Sequence, residues 1–265
     1  MTKKIIILIF IPFISFSQNI EELFKQRGEI NFYFKYNNKN QLNDISKIVS
    51  IDHKTNSETA YAYANKKEFI KFLNLGIDYD IIEHNSIKFI SNNKSSWNYY
   101  PSYNEYVDLM TQFADSFPSI CKIHNLGTLN SGRKILSVQI SDNVGQKENE
   151  PSFLYTSSMH GDELAGYILS LRLIDYILNG YGIDQEITNL IDEIDIWINP
   201  LANPDGAYYG GNQDVWSATR YNANFIDLNR NYPDPQDGPH PDGNPYQAET
   251  NIFLGLADSI NFSIS

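Results

Sequence analysis

The sequence predicts an α/β protein in two parts: a small α+β unit, then a larger mixed, mostly parallel sheet flanked by helices. Three observations carry this. Residues 28–90 run strand, helix, strand, strand, helix, strand within a short span. Residues 152–198 place a strand, a loop, a helix and another strand in succession, the order that favours a layered α/β sheet. Between the two, Ser91-Asn92-Asn93-Lys94-Ser95-Ser96 is polar and reads as a linker. The expected organisation is a leader at 1–17, a small unit at 18–90, a linker at 91–98 and the main domain at 99–265.

In the first unit Glu29–Lys35 reads as extended, followed by a helical stretch near Gln41–Ile48 and strands near Val49–His53 and Thr59–Ala62. A helix at Lys66–Leu75 closes on Gly76, and a last strand is expected near Tyr79–His84. The resulting β-α-β-β-α-β order is that of ferredoxin-like folds.

The second unit opens on a strong helix signal. Ser102 and Glu105 form a capping box, and Tyr103, Tyr106, Val107, Met110, Phe113, Ala114 and Phe117 repeat at helical spacing until Pro118. Extended segments at Cys121–Leu126 and Ile135–Ser141 flank Asn130-Ser131-Gly132-Arg133, which reads as a hairpin connection. Ser152–Ser158 is a short apolar strand candidate. A helix follows, with Leu164, Tyr167, Ile168, Leu171, Ile174 and Leu178 on one face and Asn179-Gly180 as its stop. Ile194, Ile196 and Ile198 mark the next strand, and the alternating run Ile260–Ser265 reads as extended.

The first residues carry an address. Lys3 and Lys4 precede an apolar run from Ile5 to Ile14, then Ser15-Phe16-Ser17 ahead of Gln18, the pattern of a secretory signal peptide. The run falls short of the roughly 20 residues that span a bilayer, and Pro12 interrupts it, so export to the extracellular space or periplasm is expected rather than a membrane anchor. Thirty-two acidic residues against twenty basic ones leave a net charge of −12, which excludes nucleic acid and anionic membrane as ready partners. The single cysteine, Cys121, makes no internal disulfide and reads as a small apolar core residue.

The chemistry concentrates in three places. After the 152–158 strand comes His160-Gly161-Asp162-Glu163, which puts an imidazole and a carboxylate three residues apart at the C-terminal end of a strand, where open α/β sheets bind ligands. Two such donors can converge on one zinc ion. The next strand ends in Asn203-Pro204-Asp205-Gly206, a turn whose Pro sets φ and whose Gly admits positive φ. Further on, Arg220-Tyr221-Asn222-Ala223-Asn224-Phe225-Ile226-Asp227-Leu228-Asn229-Arg230-Asn231-Tyr232-Pro233-Asp234 is too polar for a core element and holds arginines suited to a bidentate grip on a carboxylate. Each feature alone has an ordinary reading: a solvated pair, a turn, a loop tied by asparagines.

In this order and register, however, HGDE, NPDG and RYNANFIDLNRNYPD resemble the zinc carboxypeptidase family, in particular the branch with HGNE-like and DLNRNFPD-like motifs. The likeness runs from about Tyr99 to the end of the chain. The resemblance implies that His160 and Glu163 are ligands of Zn2+, that Arg220 polarises the scissile carbonyl and stabilises the oxyanion, and that Asn229 and Arg230 hold the substrate's C-terminal carboxylate. The implied substrate is a peptide or protein C-terminus. The amino-terminal unit has the position and the β-α-β-β-α-β pattern of a pro-segment that packs over a carboxypeptidase groove, so an intramolecular role in latency is expected of it, beside the alternative of an accessory domain with no regulatory consequence.

The family's third zinc ligand, a histidine on a later strand, and its general-base glutamate have no counterpart among the matched positions. The expectation is a chain that carries the leading portion of such an enzyme and has little activity of its own. His240, in Pro239-His240-Pro241-Asp242-Gly243, sits in a surface-loop setting, and His53, His84 and His124 lie in segments without a ligand pattern. Two other readings stand beside the peptidase: a metallo-deacylase of acylated amino acids, and a secreted binding module that keeps the carboxylate grip without a competent metal site.

Overall fold

The computed structural model describes residues 20–25, 28–52, 54–82 and 99–264. The expected leader at 1–17 and linker at 91–98 lie outside them. The chain divides into two compact units, residues 1–85 and 86–265.

In the first unit, residues 20–25 are helical (α1). Then follow β1 (Glu29–Lys35), α2 (Lys39–Ser46), β2 (Ser50–Ile51), β3 (Thr59–Asn65), α3 (Lys66–Leu73) and β4 (Tyr79–Ile81). The sheet order β2-β3-β1-β4, antiparallel at every pairing, is the ferredoxin-like arrangement the element order predicts. Period-two alternation builds its core. Ile30, Phe32 and Phe34 of β1 are buried, and Ala60, Ala62 and Ala64 opposite them are fully buried. The register pairs Phe32 with Ala62 and Phe34 with Ala60, so each large ring on the shared face sits beside a methyl group. That leaves room for Phe69 and Phe72 of α3, whose rings meet Phe32 at 5.3 and 4.8 Å between centroids. Asn65 and Glu68 start α3 with a reciprocal capping box.

The second unit contains α4 (Tyr103–Ser116), β5 (Cys121–Thr128), β6 (Lys134–Ile140), β7 (Ser152–Thr156), α5 (Leu164–Gly180), α6 (Gln185–Glu193), β8 (Asp195–Asn199), α7 (Pro204–Ala207) and α8 (Ala248–Ile260). Its sheet order is β5-β6-β8-β7. The expected preponderance of parallel pairing is not found among the described strands. β5 and β6 are joined by a tight turn around Gly132, so they can only be antiparallel, and β6 is antiparallel to β8 as well. Only β7 and β8, linked through the α5–α6 crossover, pair in parallel.

Two further corrections concern helices. α6 was not expected; Asp184 caps it by accepting from the Glu186 and Ile187 amides, and it buries only Ile187 and Ile191, a stripe too short to show as periodicity. α8 occupies Ala248–Ile260, so Ile260 ends a helix rather than beginning a strand. Asn261 takes the left-handed C-cap conformation at φ 56°. Beyond it Ile264 bridges Phe153 in parallel, with the Leu154 amide donating to the Ile264 carbonyl at 3.0 Å, so the extended run is real but shorter.

The sheet is covered on both faces. Leu136, Val138 and Ile140 of β6 join the core formed with α4, α5 and α6, while Ile135 joins Leu154, Trp197 and Phe253 and Leu256 of α8 on the other side. Cys121 is buried in the first of these cores, and burial pushes its thiol up to about 12, which makes it an inert core residue as expected. His124 is half-buried, stacked on Trp197 at 4.5 Å and bonded to Gln139 at 3.1 Å.

Gly255 lies within α8 on its exposed side, with open space where a Cβ would go. Gly255→Ala should therefore stabilise the second unit by about 0.5–1 kcal/mol, by removing unfolded-state freedom. Chemical denaturation followed by far-UV circular dichroism checks this; an unchanged or earlier midpoint would contradict it.

Candidate functional site

Strand β7 ends at Thr156, and residues 157–163 form the loop that leads into α5. This is where the sequence placed its imidazole and carboxylate. The structure brings them together: His160 Nδ1 stands 3.0 Å from Glu163 Oε1. Two donors each roughly 2.0–2.2 Å from a tetrahedral zinc ion would stand about 3.3 Å apart, so the pair is already close to the spacing of two ligands on one ion. The donor set, imidazole nitrogen and carboxylate oxygen, is also one that zinc accepts.

The loop is held by the Asn203–Gly206 turn. Asn203 is fully buried, and its Nδ2 donates to the carbonyls of Met159 and Tyr221, both at 3.2 Å. Its Oδ1 accepts from the Gly206 amide at 2.8 Å, which caps α7. One side chain thus ties the loop that carries His160 and Glu163 to the segment that carries Arg220. A Cβ on Gly161 would stand 2.2 Å from the Gly206 backbone carbon, and one on Gly206 would stand 2.5 Å from the Tyr221 carbonyl oxygen, so each glycine permits a close approach of main chain to main chain.

The turn is anchored in its own right by the β5–β6 hairpin. Arg133 Nη1 and the Ser131 hydroxyl both donate to Asp205 Oδ1, at 2.8 and 2.6 Å, and the Arg133 guanidinium also donates to the Tyr208 carbonyl. The Ser131-Gly132-Arg133 and Asn203–Gly206 motifs are therefore parts of one scaffold, although 72 residues separate Arg133 from Asp205.

Asp227, which sequence reasoning did not single out, completes the cluster. Its Oδ1 accepts from His160 Nε2 at 3.1 Å and from the Asn229 amide at 3.0 Å. Its Oδ2 receives Arg220 Nε and Nη2, each at 3.0 Å. A carboxylate behind the far nitrogen of a ligating imidazole fixes the ring's tautomer and orientation. No sequence signal distinguishes Asp227 from other acids in its segment; only its neighbours do.

The electrostatics follow from this packing. Burial works against a charged His160, but its hydrogen bonds to the Asp227 and Glu163 carboxylates outweigh it and raise the imidazole above its ordinary value. The same bond to His160 holds Glu163 below the usual carboxylate range. A metal ion must displace the proton that His160 would otherwise keep, so metal affinity weakens as the pH falls. Burial of the Arg220 guanidinium opposes its charge, yet Asp227 more than compensates and it remains a fixed cation. Arg220 Nη1 lies 3.3 Å from His160 Nδ1, which puts positive charge beside the nitrogen that faces Glu163.

Asn229 and Arg230 fall on a 3-10 turn, Leu228–Arg230, whose N-cap is Asp227. Both are exposed on the turn that directly follows the cluster. His240 is exposed in its loop and stacks on Tyr246 at 4.5 Å, and no metal-ligand group includes it among the described residues. Among those residues, too, no group of three ligand atoms contains His160 and Glu163; the one such group is Asp142, Glu148 and Glu150, all oxygen donors, which suit hard cations rather than zinc.

Comparison with known proteins gives the family and the fold. A family profile described as zinc carboxypeptidase matches residues 106–253. Carboxypeptidase D of Rattus norvegicus is 37% identical over 158 residues, which is 59% of this chain and 11% of that protein. Carboxypeptidase M of Mus musculus is 42% identical over 127 residues, 46% of this chain and 28% of that protein. The chain thus spans a minor part of the length of these relatives. Among solved structures, carboxypeptidase A from Helicoverpa armigera gives a TM-score of 0.63 at 19% identity, covering 88% of this chain and 67% of that one. Thrombin activatable fibrinolysis inhibitor gives 0.61 at 16% identity, covering 90% and 70%. At these identities the likeness speaks for the fold, and its coverage exceeds what the second unit alone spans.

Two substitutions test the site. Asp227→Asn should weaken zinc binding about 10- to 100-fold in chelator competition, because the imidazole loses its orienting carboxylate; unchanged affinity would contradict that role. Gly161→Ala should destabilise the second unit by about 1–3 kcal/mol, since backbone must move to admit the methyl group, and a melting curve identical to the parent's would show that the close approach does not matter.

Proposed function

The chain belongs to the zinc carboxypeptidase family, and from that premise we propose that its second unit serves the zinc-dependent removal of C-terminal residues from peptides or proteins. The observation that carries this reading is the paired donors, His160 Nδ1 and Glu163 Oε1 at 3.0 Å, backed by Asp227 and flanked by the partly buried Arg220. When bound, zinc would supply Lewis-acid polarisation and lower the pKa of coordinated water.

The chain's own residues do the rest of the work assigned to it here. Arg220, locked against Asp227, presents a cation that needs no reorganisation to meet negative charge developing on a carbonyl oxygen. Asn229 and Arg230, exposed on the adjoining turn, are placed to receive a carboxylate from solvent, Arg230 through its planar fork. Gripping the terminal carboxylate selects which peptide bond is presented to the site, and this makes the reading an exopeptidase rather than an endopeptidase.

A third ligand and a proton-transfer group are also needed, and we place both outside the described residues. On this reading the described residues do not by themselves complete a hydrolytic site. Export through residues 1–17, and a latency role for the first unit, belong to the same proposal. No helix among the described residues is long and apolar enough to cross a membrane.

The test is binding. The purified chain should take up zinc, and His160→Ala should lose it. Peptides with a free C-terminus should bind, their C-terminally amidated forms should bind at least tenfold more weakly, and Arg230→Ala should erase the difference. Equal binding of free and amidated peptides would overturn the carboxylate grip, and no zinc uptake by the parent chain would favour the binding-module reading. Chelator-sensitive release of C-terminal residues by the purified chain would show that the missing ligand and base lie within the chain, and would support the chemistry.

A further inference from the structure

Three residues outside glycine adopt a positive φ among the described positions, and one of them, Ser158 at 56°, lies two residues before His160. L-residues enter this left-handed region only at a cost, and a buried serine there needs a compensating reason. Ser158 is only 4% exposed. Its hydroxyl donates to the Glu163 carbonyl at 2.8 Å, and its own carbonyl accepts the Asn203 amide at 3.1 Å. The hydroxyl bond therefore closes a ring over residues 158–163, the stretch that contains both donors.

The closure is also the main local restraint on Glu163. Glu163 is the N-cap of α5, yet its side chain makes no capping bond, so the carboxylate is left for His160. Its amide bonds the His160 carbonyl at 3.1 Å, and its carbonyl is held by Ser158, so the main chain on both sides of its side chain is fixed from within the loop.

We propose that Ser158 is a positioning residue for the metal pair: its strained backbone and its hydroxyl clasp hold the Glu163 carboxylate against His160 Nδ1 before any ion binds. This rests on the reading of His160 and Glu163 as zinc ligands, but it concerns the ordering of the loop in the metal-free protein.

Two variants separate its two components. Ser158→Ala loses the clasp and keeps the strained backbone; Ser158→Gly loses the clasp and relieves the strain. Both should bind zinc about 10- to 100-fold more weakly than the parent in chelator competition, the range expected when support behind a ligand is lost. Ser158→Gly should nevertheless melt at or above the temperature of Ser158→Ala. In the metal-free proteins, the His160 ring resonances should be sharp for the parent and exchange-broadened for both variants.

If zinc affinity simply follows melting temperature across the three proteins, Ser158 serves stability alone and the proposal fails. Unchanged zinc affinity, or sharp His160 resonances in both variants, overturns it as well. A parent chain that binds no zinc would overturn the metal reading instead, and the resonances of the metal-free proteins would still decide whether the clasp orders the loop. Should Ser158→Gly not fold, Ser158→Ala at the native backbone angle tests the clasp by the same resonances.

Discussion

The site depends on one buried amide. Asn203 has no exposure to solvent, and its side chain spends its donors on carbonyls from two different segments and its acceptor on its own turn. A buried amide that lost these partners would carry unsatisfied polar atoms, so the three segments hold their places together or not at all. Gly161 and Gly206 turn that bond into contact by letting main chain pack on main chain. The Arg133–Asp205 pair then fastens the turn to the hairpin on the sheet's far edge, with Asp205 almost fully buried. Breaking such a pair by removing one partner leaves an uncompensated buried charge, typically a loss of about 3–5 kcal/mol.

On this scaffold the charges arrange themselves in a chain: Glu163, His160, Asp227, Arg220. Each link neutralises the next, and this is how four ionisable groups share one partly buried place. Asp227 is the middle of the chain and uses both oxygens, one for the imidazole and one for the guanidinium. The exposed end is Glu163, where an ion would enter. The loop that leads into Asp227 is organised in the same economical way: Asn222 Oδ1 accepts from the Asn224 and Ile226 amides, while its Nδ2 donates to Gln247 and to Glu249 at the start of α8.

Much of the fold was legible because its signals are local. Ser102 and Glu105 announced α4, and the alternation in Glu29–Lys35 announced β1 to the residue. The closeness of His160 and Glu163 was legible for the same reason, since a spacing of three residues suffices to bring them together. What was illegible is non-local. Nothing in Asn203-Pro204-Asp205-Gly206 as a string says that Asn203 reaches Met159, and nothing in the 220–234 segment singles out Asp227. α8 was missed because its buried face, Glu249, Thr250, Phe253 and Leu256, mixes polar with apolar residues, and the apolar periodicity that marks α5 is diluted. The direction of strand pairing was likewise set by connections rather than by composition.

The central claim is that this scaffold presents His160 and Glu163 to a single zinc ion. Zinc-edge X-ray absorption on the zinc-loaded chain tests it most directly. The account predicts one imidazole nitrogen among light-atom ligands at about 2.0–2.2 Å, with the imidazole signature lost in His160→Ala. An all-oxygen shell that this substitution leaves unchanged, as zinc held at Asp142, Glu148 and Glu150 would give, would contradict it.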